Sequence, residues 1–369
     1  MPQLPQSPHQ LTPALLTDLL RPHLLGEAHH IVALRSEPIA LEAGSLGQLA
    51  RLHLAYAPST AHLPPTMIAK MHTADAAVAA TGAIFTPDKI EHAFYRELAH
   101  QIPVRVPARY GSAMEPEAGR FLLLLEDLTR LPARGADQVA GCSLDEALRA
   151  VTTAARLHAG WWAHPKALPR WLPAAFTSGP VDAYVQNLYR EAWPRFLARA
   201  REILPATARG RAWETMVHIG ADLPAASAGA AASLARAPQT LIHVDFRLDN
   251  LFLTADEIIV VDWQDIHRGP GAYDLAYFIA TSLDPALLRE HEPSLLRHYH
   301  HTLQEEGVHD YSLADLHTHY RQSLYGCMEQ MVLTAASVDR ETRRGAALAR
   351  VLVERLVGVF RRWIDRSAT

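Results

Sequence analysis

The feature that most constrains the fold of this chain is a set of short apolar segments, each followed by polar residues, between residues 241 and 263. The segment LIHVDFRLDNLFL is followed, after TADE, by IIVVDW. Short apolar runs bounded by turn residues are typical of β-strands, so the pattern predicts three strands. Asp245 follows the first strand, Asn250 precedes the second and Asp262 ends the third. We therefore expect these three side chains at one edge of the same small sheet.

Two carboxylates and one amide are the groups that phosphoryl transfer from a nucleotide requires. One carboxylate orients or deprotonates the acceptor hydroxyl, while an amide oxygen and a second carboxylate hold magnesium. Magnesium prefers hard oxygen ligands and usually takes only one or two carboxylates together with phosphate oxygens. The alternative is that Asp245, Asp249 and Asn250 are turn residues of a surface hairpin. That alternative leaves Asp262, next to Trp263 at a strand end, unexplained.

The segments HVDFRLDN, VVDWQD and GAYDLAYFI resemble the aminoglycoside phosphotransferase and choline kinase superfamily, in particular its ecdysteroid-kinase-like branch. Members of this superfamily share the protein-kinase fold and phosphorylate hydroxyl groups of small molecules with ATP and magnesium. The resemblance implies that Asp245 is the catalytic base. It also implies that Asn250 and Asp262 are the magnesium ligands, so that these three residues form the catalytic set.

The same resemblance assigns structural roles around the loop. It implies that Asp274 is a buried anchor for the catalytic loop and that His243 braces it. Family members usually carry glycine where this chain has Val244. The departure touches no ligand, but it can alter the backbone next to Asp245.

The distribution of strand and helix patterns predicts two lobes. After a short helical pattern at 12–25, the segments from residue 30 read strand, strand, strand, helix, strand, strand. Beyond residue 128 the patterns are helical, apart from a β-rich stretch at 239–262. We expect an α+β, protein-kinase-like two-lobed fold. Its β-rich, nucleotide-binding N-lobe covers 1–128, and its mostly helical C-lobe, with the catalytic loop, the magnesium site and the acceptor-binding region, covers 129–369.

A lysine within an apolar strand is the main polar signal of the N-lobe. The segment MIAKM contains Lys70, whose ammonium is rarely fully buried without a partner. Glu91 begins EHAFYRELA on the next helix, and its position resembles the family's helix glutamate. A Lys70–Glu91 pair would hold the lysine toward the α- and β-phosphates. Glu97 is the competing partner, and a solvated helix face carrying both glutamates is the simpler alternative.

Two further segments of the N-lobe are candidates for nucleotide contacts. The glycine-containing turn at 44–47 lies 23 residues before Lys70 and would cover the phosphates with backbone N–H groups, although any hairpin favours glycine. The segment 126–128 resembles the family's hinge, where backbone groups meet the adenine; an ordinary strand end is the alternative. The residues predicted to bind the nucleotide are Gly44, Ser45, Gly47, Lys70, Glu91, Glu126 and Leu128.

The interval after Asp262 bears on the class of acceptor. Only 12 positions separate Asp262 from Asp274, no A-P-E element occurs, and Trp263-Gln264 stand where protein kinases have Phe-Gly. This favours a small hydroxylated molecule over a protein substrate. The tryptophans that could form an aromatic wall for it, or could simply be core residues, are Trp161, Trp162, Trp171 and Trp263. Polar neighbours of the catalytic loop without a specific signal are Arg247, Gln264 and Asp265.

Composition excludes several other classes of function. With 35 basic and 39 acidic residues the net charge is −4, which argues against binding to nucleic acid. No apolar run approaches the ~18 residues of a membrane span. Cys142 and Cys327 are the two cysteines and suit a reducing compartment, so a cytoplasmic location is expected. The oligomeric state, the acceptor and the choice of ATP over GTP are not determined by the sequence.

Three other hypotheses stay open. The chain could be a catalytically inactive kinase-fold protein that binds nucleotide, a kinase directed at proteins, or a metallohydrolase built on its 21 histidines. The metallohydrolase hypothesis lacks any recognisable zinc motif. His158 lies on the apolar stripe of a predicted helix and is expected to be packed in the core rather than to bind a metal. The basic, amphipathic segment RRGAALARVLVERLVGVFRRWIDR is expected to close the C-lobe, with contact to nucleic acid or a membrane surface as the alternative.

Overall fold

The computed structural model describes five stretches of the chain, and contacts between its residues divide it into two units. The described stretches are 3–39, 47–73, 86–163, 168–176 and 180–367. The first unit comprises Met1–Gln101, Arg105–Arg134 and Ile259–Gln264. The second comprises Ile102–Val104, Gly135–Ile258 and Asp265–Thr369. Gly44 and Ser45 lie outside the described residues.

The first unit is built on a five-stranded antiparallel sheet with the strand order β1-β2-β3-β5-β4. The strands are β1 (His30–Ile39), β2 (Gly47–Ala57), β3 (Thr66–His72), β4 (Arg109–Glu115) and β5 (Arg120–Glu126). Burial alternates along β2, where Ala50, Leu52 and Leu54 face the core, as the two-residue period of a strand requires. Helix α1 (Pro13–Leu20) adds Leu16 and Leu20 to this core.

Helix α2 (Pro87–Glu97) follows β3 and is the helix expected before β4. Its Ile90 and Phe94, four residues apart, are buried on one face. Phe94 stacks on Trp263 with ring centroids 4.3 Å apart and planes 6° apart. The Trp263 indole N–H donates to the carbonyl of Val260 at 2.9 Å. Trp263 is therefore a core residue of the first unit.

The second unit is mostly helical. Its helices are α3 (Leu144–Ala159), α4 (Pro180–Ile203), α5 (Arg211–Gly220), α6 (Leu223–Leu234), α7 (Ala272–Ser282), α8 (Pro285–Glu305), α9 (Leu313–Ser337) and α10 (Arg343–Ser367). Helix α3 begins after the N-cap Ser143, which forms a capping box with Glu146. All eleven residues of α7 are buried, and α7 packs against α9. Helix α10 packs against α5, α8 and α9 and buries a stripe that includes Leu352, Leu356 and Phe360, as expected for a helix that closes this unit.

The short strands around the polar loop belong to two different sheets. β7 (Thr240–Ile242) pairs antiparallel with β10 (His267–Gly269), whereas β6 (Arg134–Gly135), β8 (Leu251–Leu253) and β9 (Ile258–Val260) form a separate sheet in the order β6-β8-β9. The expectation of one small sheet is therefore wrong. The backbone at Val244 has a φ of 71°, which turns the chain away from β7 before β8 begins.

The observed fold is α+β, with a β-sheet in the N-terminal region and helices in the C-terminal region, which confirms the predicted fold class. The roles assigned to the two lobes stay predictions. In the stretches that the structure describes, no helix is both long and apolar enough to cross a membrane.

Candidate active site

Lys70 is the centre of a charged cluster in the first unit. It lies in β3, between Leu49 of β2 and Leu123 of β5, and its side chain is only 13% exposed. Its ammonium Nζ lies 2.6 Å from Glu91 Oε2 and 2.6 Å from Asp262 Oδ1. A lysine in such an environment stays charged only because carboxylates replace the lost water.

The structure brings Glu91, not Glu97, to the lysine. Glu91 lies on the buried face of α2 and is 1% exposed, whereas Glu97 forms an ion pair with Arg96 near the end of the helix. Burial raises the pKa of Glu91, although the attraction of Lys70 opposes this shift. Burial alone would lower the pKa of Lys70, but Asp262 and Glu91 outweigh it and raise that pKa above its ordinary value. The lysine is therefore a cation throughout the neutral range.

Asp262 is held in an unusual backbone conformation. It follows β9 with a φ of 65°, in the left-handed region that residues other than glycine rarely adopt. Such strain persists only where neighbouring contacts enforce it. Here the buried Trp263 on one side and the ion pair with Lys70 supply those contacts. Lys70 Nζ also donates to Gln264 Oε1 at 3.3 Å, a contact for which the sequence carried no specific signal.

The polar loop of the second unit brings Asp245 and Asn250 together. Asn250 Nδ2 donates to the carboxylate oxygen Oδ2 of Asp245 at 2.7 Å and to its backbone carbonyl at 2.8 Å. Arg247 Nε donates to both carboxylate oxygens of Asp245, at 3.0 and 3.1 Å. The Asp245 carboxylate is thus fixed in orientation by two side chains, those of Asn250 and Arg247.

Asp274 anchors this loop from α7, as the resemblance implied. It is fully buried and accepts hydrogen bonds from the backbone N–H groups of His243 at 2.6 Å and Val244 at 2.8 Å. His158 Nε2 lies 3.1 Å from Asp274, and its Nδ1 lies 2.7 Å from the hydroxyl of Tyr299. His158 is therefore packed and hydrogen-bonded inside the unit. It orients the carboxylate that holds the loop.

Val244 occupies a conformation that suits glycine better than valine. Its φ of 71° is left-handed, and the two bonds from Asp274 to residues 243 and 244 hold it there. For an L-residue such a conformation costs roughly 1–2 kcal/mol. Glycine has no such cost, which gives a physical reason for the glycine usual in the family at this position.

The remaining predicted nucleotide residues have clear structural partners in the first unit. A Cβ on Gly47 would lie 2.8 Å from the carbonyl oxygen of Met71, so glycine permits β2 to approach β3 closely. The Glu126 carboxylate pairs with Arg105 at 2.5 Å and accepts from the backbone N–H of Ala108 at 3.0 Å. Leu128 is buried. Their contacts with a nucleotide stay predictions.

The other predicted aromatic and histidine candidates are mainly packing residues. Trp161 and Trp162 are buried, and Trp162 packs on Tyr311 at 4.9 Å between ring centroids. His298 Nε2 lies 2.7 Å from the hydroxyl of Thr152, and His300 Nε2 lies 2.8 Å from the carbonyl of Tyr311. Within the described ranges no three histidine, cysteine or acidic residues are grouped as the metallohydrolase hypothesis would require.

Magnesium would need hard oxygen donors, and the two predicted ligands can provide them. The amide nitrogen of Asn250 is committed to Asp245 by two hydrogen bonds, so its amide oxygen is the atom that would meet a cation. Asp262 offers a carboxylate whose side chain is 29% exposed. Each of the two residues therefore offers a donor atom of the kind that this ion prefers.

A lysine paired with a helix glutamate, together with an anchored loop carrying an aspartate and an asparagine, is the arrangement of kinase-like phosphotransferases. A family model described as the ecdysteroid kinase-like family matches residues 47–309, which contain all of these groups. This chain belongs to the ecdysteroid kinase-like family.

Several solved structures share the fold. They include a provisionally assigned aminoglycoside phosphotransferase from Ralstonia eutropha (TM-score 0.51, 16% identity, covering 94% of this chain and 98% of that one). A Plasmodium vivax ethanolamine kinase gives a TM-score of 0.51 at 12% identity, covering 92% and 85%. Choline kinase from Cryptosporidium parvum gives 0.50 at 12% identity, covering 90% and 91%. Comparison with curated proteins finds no match. At these identities the likeness establishes the fold and leaves the substrate open.

Proposed function

We propose that this protein transfers the γ-phosphoryl group of ATP to a hydroxyl group of a small molecule. The observation that carries the proposal is the buried Lys70, held between Glu91 and Asp262 at 2.6 Å from each. A buried lysine with two carboxylate partners is costly for stability alone, because each ion must lose its water. Because the chain belongs to a kinase-like family, the function that we infer for this lysine is to provide a positive charge that binds the nucleotide phosphates.

In the proposed reaction the acceptor oxygen bonds to the γ-phosphorus while the bond to the β,γ-bridging oxygen breaks, so that ADP leaves. Asp245 orients the acceptor hydroxyl and takes its proton. Lys70, braced by Glu91, binds the phosphates. Asn250 and Asp262 would hold magnesium, which supplies charge neutralisation on the phosphate oxygens when bound. Most of the barrier lowering would come from positioning and electrostatic stabilisation.

Nucleotide contacts of the glycine-containing turn and of the segment 126–128 are part of the same proposal. Gly44, Ser45 and Gly47 would cover the phosphates with backbone groups. Backbone atoms of Glu126 and Leu128 would meet the base. The 11 residues between Asp262 and Asp274 leave little room for an activation segment, which supports a small acceptor over a protein.

A second candidate is nucleotide binding without transfer. One observation favours it: Arg247 Nε already engages both carboxylate oxygens of Asp245, where an acceptor hydroxyl would otherwise bind. Under this alternative the chain would bind Mg-ATP and form no ADP with any acceptor.

Calorimetric titration of ATP, with and without magnesium, tests the nucleotide half of the proposal. We expect magnesium-dependent binding that weakens about tenfold or more in Lys70→Ala, because a charge-assisted hydrogen bond contributes ~1.5–3 kcal/mol. Lys89→Ala, at an exposed position of α2, is the matched control and should bind like wild type. Equal affinity of both variants would contradict the role of Lys70.

An acceptor screen that follows ADP formation tests the transfer half. We expect Asp245→Asn to abolish ADP formation while ATP affinity stays within about twofold of wild type, since the residue acts on the acceptor rather than on the nucleotide. Loss of both together would argue against the assigned role. Tight ATP binding with no ADP from any alcohol in the panel would favour the second candidate.

A further inference from the structure

Helix α10 begins with two arginines, at the end where the helix dipole disfavours cations. Arg343 and Arg344 lie in its first turn, where unpaired N–H groups carry partial positive charge. Acidic residues are the usual choice at this position, and α10 has none in its first turn. A local rule broken in this way indicates that a tertiary contact compensates for the cost.

Arg344 makes such a contact through both ends of its guanidinium. Nη1 donates to Asp137 Oδ1 at 2.9 Å, and Nη2 donates to Asp249 Oδ1 at 2.8 Å. Asp249 immediately precedes Asn250 in the polar loop, and its side chain is only 16% exposed. The planar guanidinium is suited to holding two carboxylates at once in fixed geometry.

From Asp249 the contacts continue to the proposed base. Asp249 Oδ2 accepts a hydrogen bond from Arg247 Nη1 at 2.8 Å. Arg247 Nε in turn donates to both carboxylate oxygens of Asp245. Positive and negative groups therefore alternate along Arg344, Asp249, Arg247 and Asp245, and all four residues belong to the second unit.

A second arginine of α10 supports the same region from within the core. Arg355, three turns after Arg344, is 3% exposed and donates through Nη1 to the carbonyls of Gln138 at 2.7 Å and Thr281 at 2.6 Å. Gln138 accepts from Arg247 Nη1 through its side-chain oxygen at 2.8 Å, and its backbone N–H donates to Asp249 at 2.8 Å. The segment 137–138 is thus held between α10 and the loop.

We propose that Arg344 is a positioning residue, through which α10 sets the orientation of the Asp245 carboxylate by way of Asp249 and Arg247. The catalytic meaning of this orientation rests on the proposed function, whereas the chain of contacts does not. Without Arg344, Asp249 loses one of its three donors and Arg247 loses a fixed partner. The guanidinium of Arg247, whose Nε donates to both carboxylate oxygens of Asp245, can then rotate more freely.

Nuclear magnetic resonance of arginine side chains tests the contact chain without any acceptor. In ¹⁵N-labelled protein, the Nε–Hε signal of Arg247 is assigned by its loss in Arg247→Lys. We expect Arg344→Gln to shift or broaden this signal. Arg343→Gln removes the same charge from an exposed position in the same turn and should leave it in place. An unchanged Arg247 signal in a folded Arg344→Gln protein would overturn the proposal.

Turnover provides the functional readout, with Mg-ATP as donor and water as the first acceptor. We expect Arg344→Gln to lower kcat about tenfold with little change in KM for ATP, because small misplacements of a reacting group can cost up to ~10²-fold. Arg344→Lys should restore part of the rate. Equal kcat for Arg344→Gln and wild type would contradict the role in positioning.

A double-mutant cycle shows whether the effect passes through Asp249. If it does, Arg344→Gln combined with Asp249→Asn should be no slower than Asp249→Asn alone, whereas additive losses would mean that Arg344 acts elsewhere. Failure of the proposed function is distinguishable, since wild type would then form no ADP with water or with any alcohol of the panel. In that case the Arg247 signal alone decides whether α10 orients the loop.

Discussion

Two residues next to the proposed reacting groups, Val244 and Asp262, hold left-handed backbone conformations with φ of 71° and 65°. Each is fixed by a buried neighbour: Asp274 holds the backbone at Val244, and Trp263 packs beside Asp262. Strain of this kind is kept where a precise direction of a side chain matters. At the residue scale the chain therefore tolerates local backbone strain beside the carboxylates proposed to act.

The strain at Val244 predicts that glycine stabilises the protein at this position. Relief of ~1–2 kcal/mol of backbone strain exceeds the ~0.5–1 kcal/mol that the greater freedom of glycine in the unfolded chain costs. We expect Val244→Gly to raise the free energy of unfolding in urea by about 0.5–1 kcal/mol. Val139→Gly, at a half-buried valine with ordinary φ, should lower it. A loss of stability in Val244→Gly would show that the valine side chain contributes more than its strain costs.

At the scale of elements, helix α2 concentrates acidic groups around Lys70. Asp88 lies in its first turn, and burial raises the pKa of this carboxyl to about 6. One turn later Glu91 contacts the lysine, and burial raises its pKa as well. Helix α2 therefore carries two carboxyl groups, those of Asp88 and Glu91, whose charged forms are disfavoured by burial.

The raised pKa of Asp88 predicts a pH-dependent effect of its neutral analogue. The folded pKa of about 6 lies above the ordinary value of 3.8, so the penalty is absent below pH ~4 and fully present above pH ~6. We expect Asp88→Asn to gain about 1–2 kcal/mol of unfolding free energy at pH 8, after allowance for partial exposure, and to lose that advantage near pH 4. Thermal melts across this range measure it.

The control for this experiment is Asp18→Asn, at an exposed position of α1. It should shift the melting temperature by the same small amount at both pH values. If the advantage of Asp88→Asn were independent of pH, burial of the charge would not be its cause.

Helix α6 has the sequence LPAASAGAAASL, which shows little amphipathic pattern, so its helical structure is tested by substitution of a glycine within it. Nothing lies within 4 Å of a Cβ added at Gly229, and glycine is the less favourable residue inside a helix. We therefore expect Gly229→Ala to stabilise the protein by about 0.5–1 kcal/mol in urea unfolding. Gly220→Ala, whose Cβ would meet the Trp193 ring at 2.0 Å, should destabilise it by about 1–3 kcal/mol. The reverse order would mean that α6 is not helical at Gly229.

At the scale of the whole molecule, the α+β fold could be predicted because strand and helix patterns are local properties of the sequence. The alternation in β2 and the cap at Ser143 are examples. The partner of β7 could not be predicted in this way. It pairs with β10, some 25 residues on, and the residues of β7 alone carry no signal for so distant a partner.

The same distinction between local sequence patterns and long-range contacts applies to the residues of the candidate site. Lys70, Asp245, Asn250 and Asp262 carry motif signals that can be read within a few residues of each. The contacts of Arg344 cannot be read so, since it meets Asp249 across 95 positions of sequence and has no motif of its own. Long-range partners of this kind depend on packing that only the folded chain reveals.

The ion pairs of Arg344 also set a rule for recombining this protein with its relatives. Three stretches, 137–138, 245–250 and the start of α10, form one bonded set although they lie far apart in the chain. A chimera that exchanges the catalytic loop alone would inherit the motif residues and lose the partners of position 249 that lie outside the loop, namely Gln138 and Arg344. Crossover points should therefore be chosen so that all three stretches come from the same parent.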